Sequence, residues 1–165
     1  MENKKLLEEI RSYWNNRADG YSRVNQEELH SEQKEKWKEV LLEQLPKKEK
    51  DQVQILDIGT GPGFFAILLA EEGYQVTAVD YTEQMLQEAK SNAADLADQI
   101  SFKRMDAQNL EFPKETFDYI VTRNVTWNLE HPKRAYREWQ RVLKPGGKIL
   151  NFDANWYAYL YDDKL

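Results

Sequence analysis

The run Val53 to Ala70, VQILDIGTGPGFFAILLA, constrains this chain more than any other stretch. A short apolar strand, expected over Val53–Ile58, runs into Gly59, Gly61 and Gly63, and an apolar helix starting near Phe64 follows at once. Glycine has no Cβ, so a turn built from it lets backbone approach a ligand closely. The helix start adds unpaired N–H groups and the positive end of a dipole. Strand, glycine turn and helix together predict a ligand-binding turn.

Downstream, strands and helices alternate. Strands are expected at Gln75–Asp80, Ile100–Met105, Phe117–Arg123 and Lys148–Phe152. Helices are expected at about Gly63–Glu72, Thr82–Leu96 (capped by Thr82) and Pro132–Leu143, with Pro145-Gly146-Gly147 as a turn. This βαβα pattern predicts an α/β fold with a mostly parallel sheet of five core strands and helices on both faces. Upstream, two polar helices are expected, about Asn3–Arg17 and Gln26–Gln44, punctuated by Gly20 and Ser22. Pro46 and the charged run Lys47–Asp51 lead into the first strand. The expected organisation is a helical cap over residues 1–50 and a ligand-binding core over 51–165.

In open α/β sheets, ligands sit outside the carboxyl ends of the strands. Strand two ends in Asp80-Tyr81, Asp106-Ala107 follow strand three, and strand four ends in Thr122-Arg123-Asn124-Val125. Asp80 lies 17 positions after Gly63, where an acid accepts two hydrogen bonds from a ribose diol. The alternative is an acid at the start of the next helix. Asp57, inside an apolar strand, either braces the glycine turn or meets a ligand amine, because a buried carboxylate needs a partner. A dinucleotide turn has the spacing G-x-G-x-x-G, whereas here Phe64 stands at the third glycine position. That speaks against a pyrophosphate on the helix start and favours a nucleoside ligand without phosphate.

Bulk properties narrow the class. At 165 residues and 41% hydrophobic content the chain suffices for one domain with a real core. It has no cysteine, which excludes disulfide and thiolate chemistry. The charged N-terminus does not read as a secretory signal, so the cytoplasm is the expected location. No apolar stretch has the length of a membrane span, so no membrane partner is expected. A net charge of −6 disfavours a nucleic-acid partner. Two histidines are too few for a histidine-built metal site, and no metal is expected.

Taken in order, ILDIGTGPGFFAILLA, VTAVDYTEQML and FKRMDAQNLEFPKETFDYIVTRNVTWNLEHPKRAYREWQRVLKPGGKIL resemble a class I S-adenosylmethionine-dependent methyltransferase from about Val53 to Phe152. YWNNRADGYS also resembles the helix that precedes the core in many small-molecule members. The resemblance implies a doubly wound, Rossmann-like sheet and S-adenosylmethionine as cofactor. It places Asp57, Gly59, Gly61 and Gly63 at the methionine moiety and Asp80 at the ribose hydroxyls. It sets Tyr81 and Met85 beside the adenine, and Asp106 at the adenine amino group with the Ala107 backbone next to it. Asn124 would face the methionine end and the methyl group, and Trp14, Arg17 and Tyr21 would belong to a lid.

The implied reaction is methyl transfer to a small-molecule acceptor by in-line displacement, which asks mainly for alignment. A base is needed only where the acceptor must lose a proton. His131, after strand four, is the residue to test for that role, although His131-Pro132 reads more simply as the opening of a helix. Trp139 is expected in the core, while Trp127 and the aromatics of Asp153–Tyr161 are candidates to shape an acceptor pocket, with a structural place for Trp127 an equal alternative. The family usually continues past strand five with a helix and two more strands, while this sequence ends at Leu165. Strand five would then be an exposed apolar edge. A fragment of a longer protein is the favoured explanation, with a homodimer through that edge or cover by the N-terminal helices as others. Binding of S-adenosylmethionine without turnover is the main alternative function, and an NAD-dependent oxidoreductase a further one.

Overall fold

The computed structural model describes residues 4–126 and 129–153. The side chains of Lys4, Trp14, Asn16, Arg17, Asp19 and Tyr21 also lie outside the described set, so the expected lid contacts of Trp14, Arg17 and Tyr21 fall there. Trp127 and the aromatics from Trp156 to Tyr161 do too.

The elements in chain order are α1 (Lys4–Leu29), α2 (Gln33–Glu43), β1 (Ile55–Ile58), α3 (Phe64–Glu71), β2 (Val76–Asp80), α4 (Glu83–Ala93), β3 (Ile100–Arg104), β4 (Phe117–Arg123), α5 (Pro132–Val142) and β5 (Leu143–Phe152). The strands form one sheet in the order β3-β2-β1-β4-β5, and all four pairings are parallel. The chain reverses its winding between β1 and β4, which opens a crevice at the carboxyl ends of the central strands.

Side chains alternate across each strand, so the sheet feeds two cores. On one face Ile55, Val76, Tyr119 and Val121 pack with Phe65 and Leu68 of α3 and Leu41 of α2. On the other, Leu56, Ile58, Val79 and Ile120 pack with Ala135, Trp139 and Val142 of α5. β1 is buried at every position, as a strand covered on both faces should be. Trp139 is fully buried, as its helical position predicts.

The N-terminal segment differs from the sequence expectation. The first helix does not stop near Arg17; α1 runs unbroken through Gly20 and Ser22 to Leu29. Glycine in a helix costs only about 1 kcal/mol relative to alanine, and tertiary packing outweighs it. Ala18, Ser22 and Asn25 are buried on one stripe of α1, and Ser22 and Gln26 both bond Asn92 of α4. The break falls instead at His30–Glu32, before α2. α4 ends at Ala93 in a 3-10 turn, and Thr82 occupies its N-cap position without a side-chain capping bond.

β5 lies at the sheet edge, and its pairing with β4 is irregular between Phe117 and Tyr119, opposite the Pro145-Gly146-Gly147 turn. α2 reaches this strand: Trp37 meets Phe152 edge-on at 5.2 Å, and the Lys148 ammonium approaches Gln44 Oε1 at 3.5 Å. Among the described residues, no helix is long and apolar enough to cross a membrane.

Candidate functional site: a cleft over the strand ends

A cavity of about 330 Å³ lies over the carboxyl ends of β1, β2 and β4 and the segment after β3, with α1 along one side. Asp57, Gly59, Gly61, Asp80, Tyr81, Met85, Asp106, Ala107 and Asn124 all line it. Residues singled out on four separate stretches of sequence therefore share one space.

The glycine turn forms the floor. Gly59 has φ +65°, and a Cβ there would stand 2.3 Å from Cγ2 of Val125, so the segment after β4 closes directly on it. Gly61 also has positive φ, but no heavy atom stands within 4 Å of its Cβ position. Its bare face borders the cavity, leaving room for a ligand to touch backbone. Gly63 is different. It is not part of the cavity wall, and its Cβ position is 3.1 Å from Cβ of Ala89, so it serves the packing of the turn on α4.

Two carboxylates brace this turn. Asp57 is buried, and Thr60 Oγ1 donates to its Oδ2 at 2.7 Å. Burial pushes its carboxyl up to about 7, against the Thr60 and Ala66 hydrogen bonds and the Arg123 charge, which lower it. Asp80 accepts from the Gly61 N–H at 2.9 Å and the Thr82 N–H at 3.0 Å. Burial raises its carboxyl to about 6 despite these bonds. Asp80 thus closes β2, holds the Thr82 N–H that leads into α4, and faces the cavity.

The far wall is equally fixed. Arg104 donates to the Tyr81 carbonyl at 3.1 Å and sits 5.6 Å from the centroid of its ring. Asp106 Oδ1 accepts from the Gln108 N–H at 2.9 Å, closing an Asx turn. Trp139 Nε1 donates to the Ala107 carbonyl at 2.9 Å, tying that turn to α5. Asn124 adopts φ +59°, a conformation asparagine tolerates, and its N–H donates to Phe152 O at 2.8 Å.

His131 lies outside the cavity wall. It opens α5 with Pro132 at the first helical position, and its N–H donates to Gln108 Oε1. Its side chain is 46% exposed. The preceding residue, Glu130, lines the cavity instead, and its Oε2 is buried without a hydrogen-bond partner.

Three further features escaped the sequence reading. Arg123, at the end of β4, makes a two-pronged pair with Glu28 of α1, both contacts at 3.0 Å. Its guanidinium lies 4.8 Å from the Phe64 ring, 5.3 Å from Phe65 and 5.4 Å from Trp37. Asn25 lines the cavity from α1 with its carboxamide unpaired. The spacing Ala18, Ser22, Asn25, Leu29 is a helical stripe in which small and polar residues hold the inward positions, and that signal was available in the sequence.

Residues 56–151 match the model of the methyltransferase domain family. The chain belongs to that family. Among curated relatives, the ubiquinone biosynthesis O-methyltransferase of Coxiella burnetii is 31% identical over 109 residues, covering 65% of this chain and 47% of the relative. The crystal structure of an S-adenosylmethionine-dependent methyltransferase from Mesorhizobium loti superposes with a TM-score of 0.59 at 29% identity, over 68% of this chain and 51% of that one. Phosphoethanolamine N-methyltransferase 2 of Haemonchus contortus, solved in complex with S-adenosyl-L-methionine, gives 0.62 at 30% identity, over 70% of this chain and 27% of that one. This methyltransferase-family chain spans about half the length of the first curated relative it matches. Its cavity residues fit the family's cofactor: an open backbone face at Gly61, and acceptors on Asp80 and Asp106 set apart along the strand ends.

Proposed function

We propose that the cavity binds S-adenosylmethionine and that the protein transfers its methyl group to a small-molecule acceptor. The observation that carries this reading is the convergence of the glycine turn, Asp80, Asp106 and Asn124 on one cavity, in the order β1, β2, β3, β4. Asp80 accepts from the ribose diol, and Tyr81 and Met85 flank the adenine. Asp106 accepts from the adenine amino group beside Ala107, and the bare backbone of Gly61 receives the methionine part. Bound there, S-adenosylmethionine supplies a methyl group already activated as a sulfonium. The protein's own work is alignment and exclusion of water, with α1 as the cover. His131 is set aside as a base, because it stands outside the wall that would meet an acceptor.

A phosphate-bearing dinucleotide fits less well. Phe64 is buried at the start of α3 beneath the Arg123 guanidinium, where a dinucleotide turn has glycine. The second reading to separate is cofactor binding without turnover.

Calorimetric titration with S-adenosylmethionine, with S-adenosylhomocysteine and with NAD separates these readings when paired with an assay for S-adenosylhomocysteine release over a panel of phenols, amines and quinols. Saturable binding plus release supports the first reading. Binding without release supports the second. NAD binding in the absence of S-adenosylmethionine binding would refute both.

A further inference from the structure

Asn25 is 3% exposed and lines the cavity, and neither its Nδ2 nor its Oδ1 makes a hydrogen bond. Most buried polar side-chain atoms in folded proteins have a partner, and one left without it is costly. Both halves of this carboxamide stand in that condition at the wall of a ligand-sized space.

The position of Asn25 is fixed from two sides. Ser22 and Gln26 contact Asn92 Oδ1 at 3.3 and 2.9 Å, and Asn92 in turn donates to the Pro62 carbonyl at 3.0 Å. Three residues past Asn25, Glu28 grips Arg123 at the end of β4. Residues three apart are neighbours on a helix surface, so Asn25 stands between Ser22 on one side and Glu28 on the other. Asn25 therefore stands between the glycine turn and the end of β4. In the sheet order β3-β2-β1-β4-β5, that is the opposite side of the cleft from Asp106, which follows β3.

On the reading of the cavity given above, the ribose and adenine of S-adenosylmethionine are met by Asp80 and Asp106. The polar groups left over are an ammonium and a carboxylate on one carbon. A carboxamide offers an acceptor to the first and a donor to the second. We propose that Asn25 is a cofactor ligand supplied by α1, recognising the amino-acid end of S-adenosylmethionine. α1 is then a working wall of the site as well as its cover, and Glu28–Arg123 is the tie that holds Asn25 in place.

The test compares two nucleosides that differ at that end. S-adenosylhomocysteine carries the α-amino acid, and 5′-methylthioadenosine lacks it. Both are titrated calorimetrically into the full chain and into Asn25→Leu, which keeps the volume and removes both polar groups. The unmodified protein should prefer S-adenosylhomocysteine. Asn25→Leu should lose about 10- to 100-fold in affinity for it, the range for hydrogen bonds to charged groups. It should bind 5′-methylthioadenosine as before and melt no lower without ligand. Asn25→Asp, which loses the donor and repels a carboxylate, should show the same selective loss. Equal loss of both ligands, or unchanged S-adenosylhomocysteine affinity in a folded variant, overturns the assignment. If the unmodified protein binds neither nucleoside, the cofactor reading itself has failed.

Discussion

The two ends of the cavity are built differently. At the end proposed to take the nucleoside, the acceptors are already engaged by neighbouring backbone: Asp80 by Gly61 and Thr82, Asp106 by Gln108. These partners lie within a few residues or across adjacent strands. At the opposite end, the wall is assembled from α1 and β4. Glu28 and Arg123 meet across 95 positions of sequence, and Asn25 is left unpaired. One end is complete before a ligand arrives, and the other has polar groups that a ligand can complete. Preorganised groups lose little freedom on binding and set orientation. Unpaired groups set selectivity, because a ligand that fails to satisfy them leaves them buried.

The largest expected effect tests whether the two ends share one floor. Gly59→Ala puts a Cβ against Val125 at positive φ. It should cost about 2–4 kcal/mol of stability, combining overpacking with left-handed strain. A melting temperature within a degree of the parent would show that the two segments do not close on each other as described. Next, Asp80→Ala should weaken S-adenosylmethionine by about 1.5–3 kcal/mol. It should also lower ligand-free stability, because it strips an acceptor from Gly61 and Thr82. Asn25→Leu should do the first and not the second. Identical profiles for these two variants would erase the distinction between the ends. Smaller still, Glu28→Gln should cost roughly 1–2 kcal/mol of stability by weakening the charge-assisted pair with Arg123. Cofactor affinity should fall with it, and proteolysis within α1 should become faster. Unchanged cleavage of α1 would mean the pair is not what holds it.

A pH series sharpens the comparison further. Asp57 and Asp80 titrate near 7 and near 6 in the folded chain, above the ordinary aspartate value of 3.8. Between those limits the folded state holds more protons than the unfolded one. Ligand-free stability should therefore fall as pH rises from about 4 to about 7, then level off. Affinity for S-adenosylmethionine should rise over the upper part of that window, as Asp80 gains the charge that accepts from the ribose. A melting temperature that climbs from pH 5 to pH 7.5 would contradict this, and Asp57→Asn should flatten the slope.

What the sequence disclosed follows the same division. The strand ends were legible because each is a local pattern: a glycine turn after an apolar run, or an acid closing a β-strand. β4 appears with the expected bounds, Phe117–Arg123, and the other strands within a few residues apart from β5, which begins at Leu143. The Glu28–Arg123 pair was not legible, since no periodicity links positions 95 apart. Gly20 misled because glycine usually punctuates helices, while the α1–α4 packing carries this one through. His131 drew attention as a titratable residue after β4, yet the backbone turns it out to cap α5 and turns Glu130 in. The G-x-G-x-G spacing grouped Gly63 with its neighbours, although its absent Cβ makes room for Ala89 and not for a ligand.

The central claim is that nucleoside and amino-acid groups occupy opposite ends of one cleft, and a crystal structure with S-adenosylhomocysteine bound tests it most directly. The ribose hydroxyls should lie within hydrogen-bond distance of Asp80, the adenine amino group beside Asp106, and the amino-acid end over Gly59–Gly61 within reach of Asn25. A ligand in reversed orientation, or one whose ribose contacts neither Asp80 oxygen, would contradict the account.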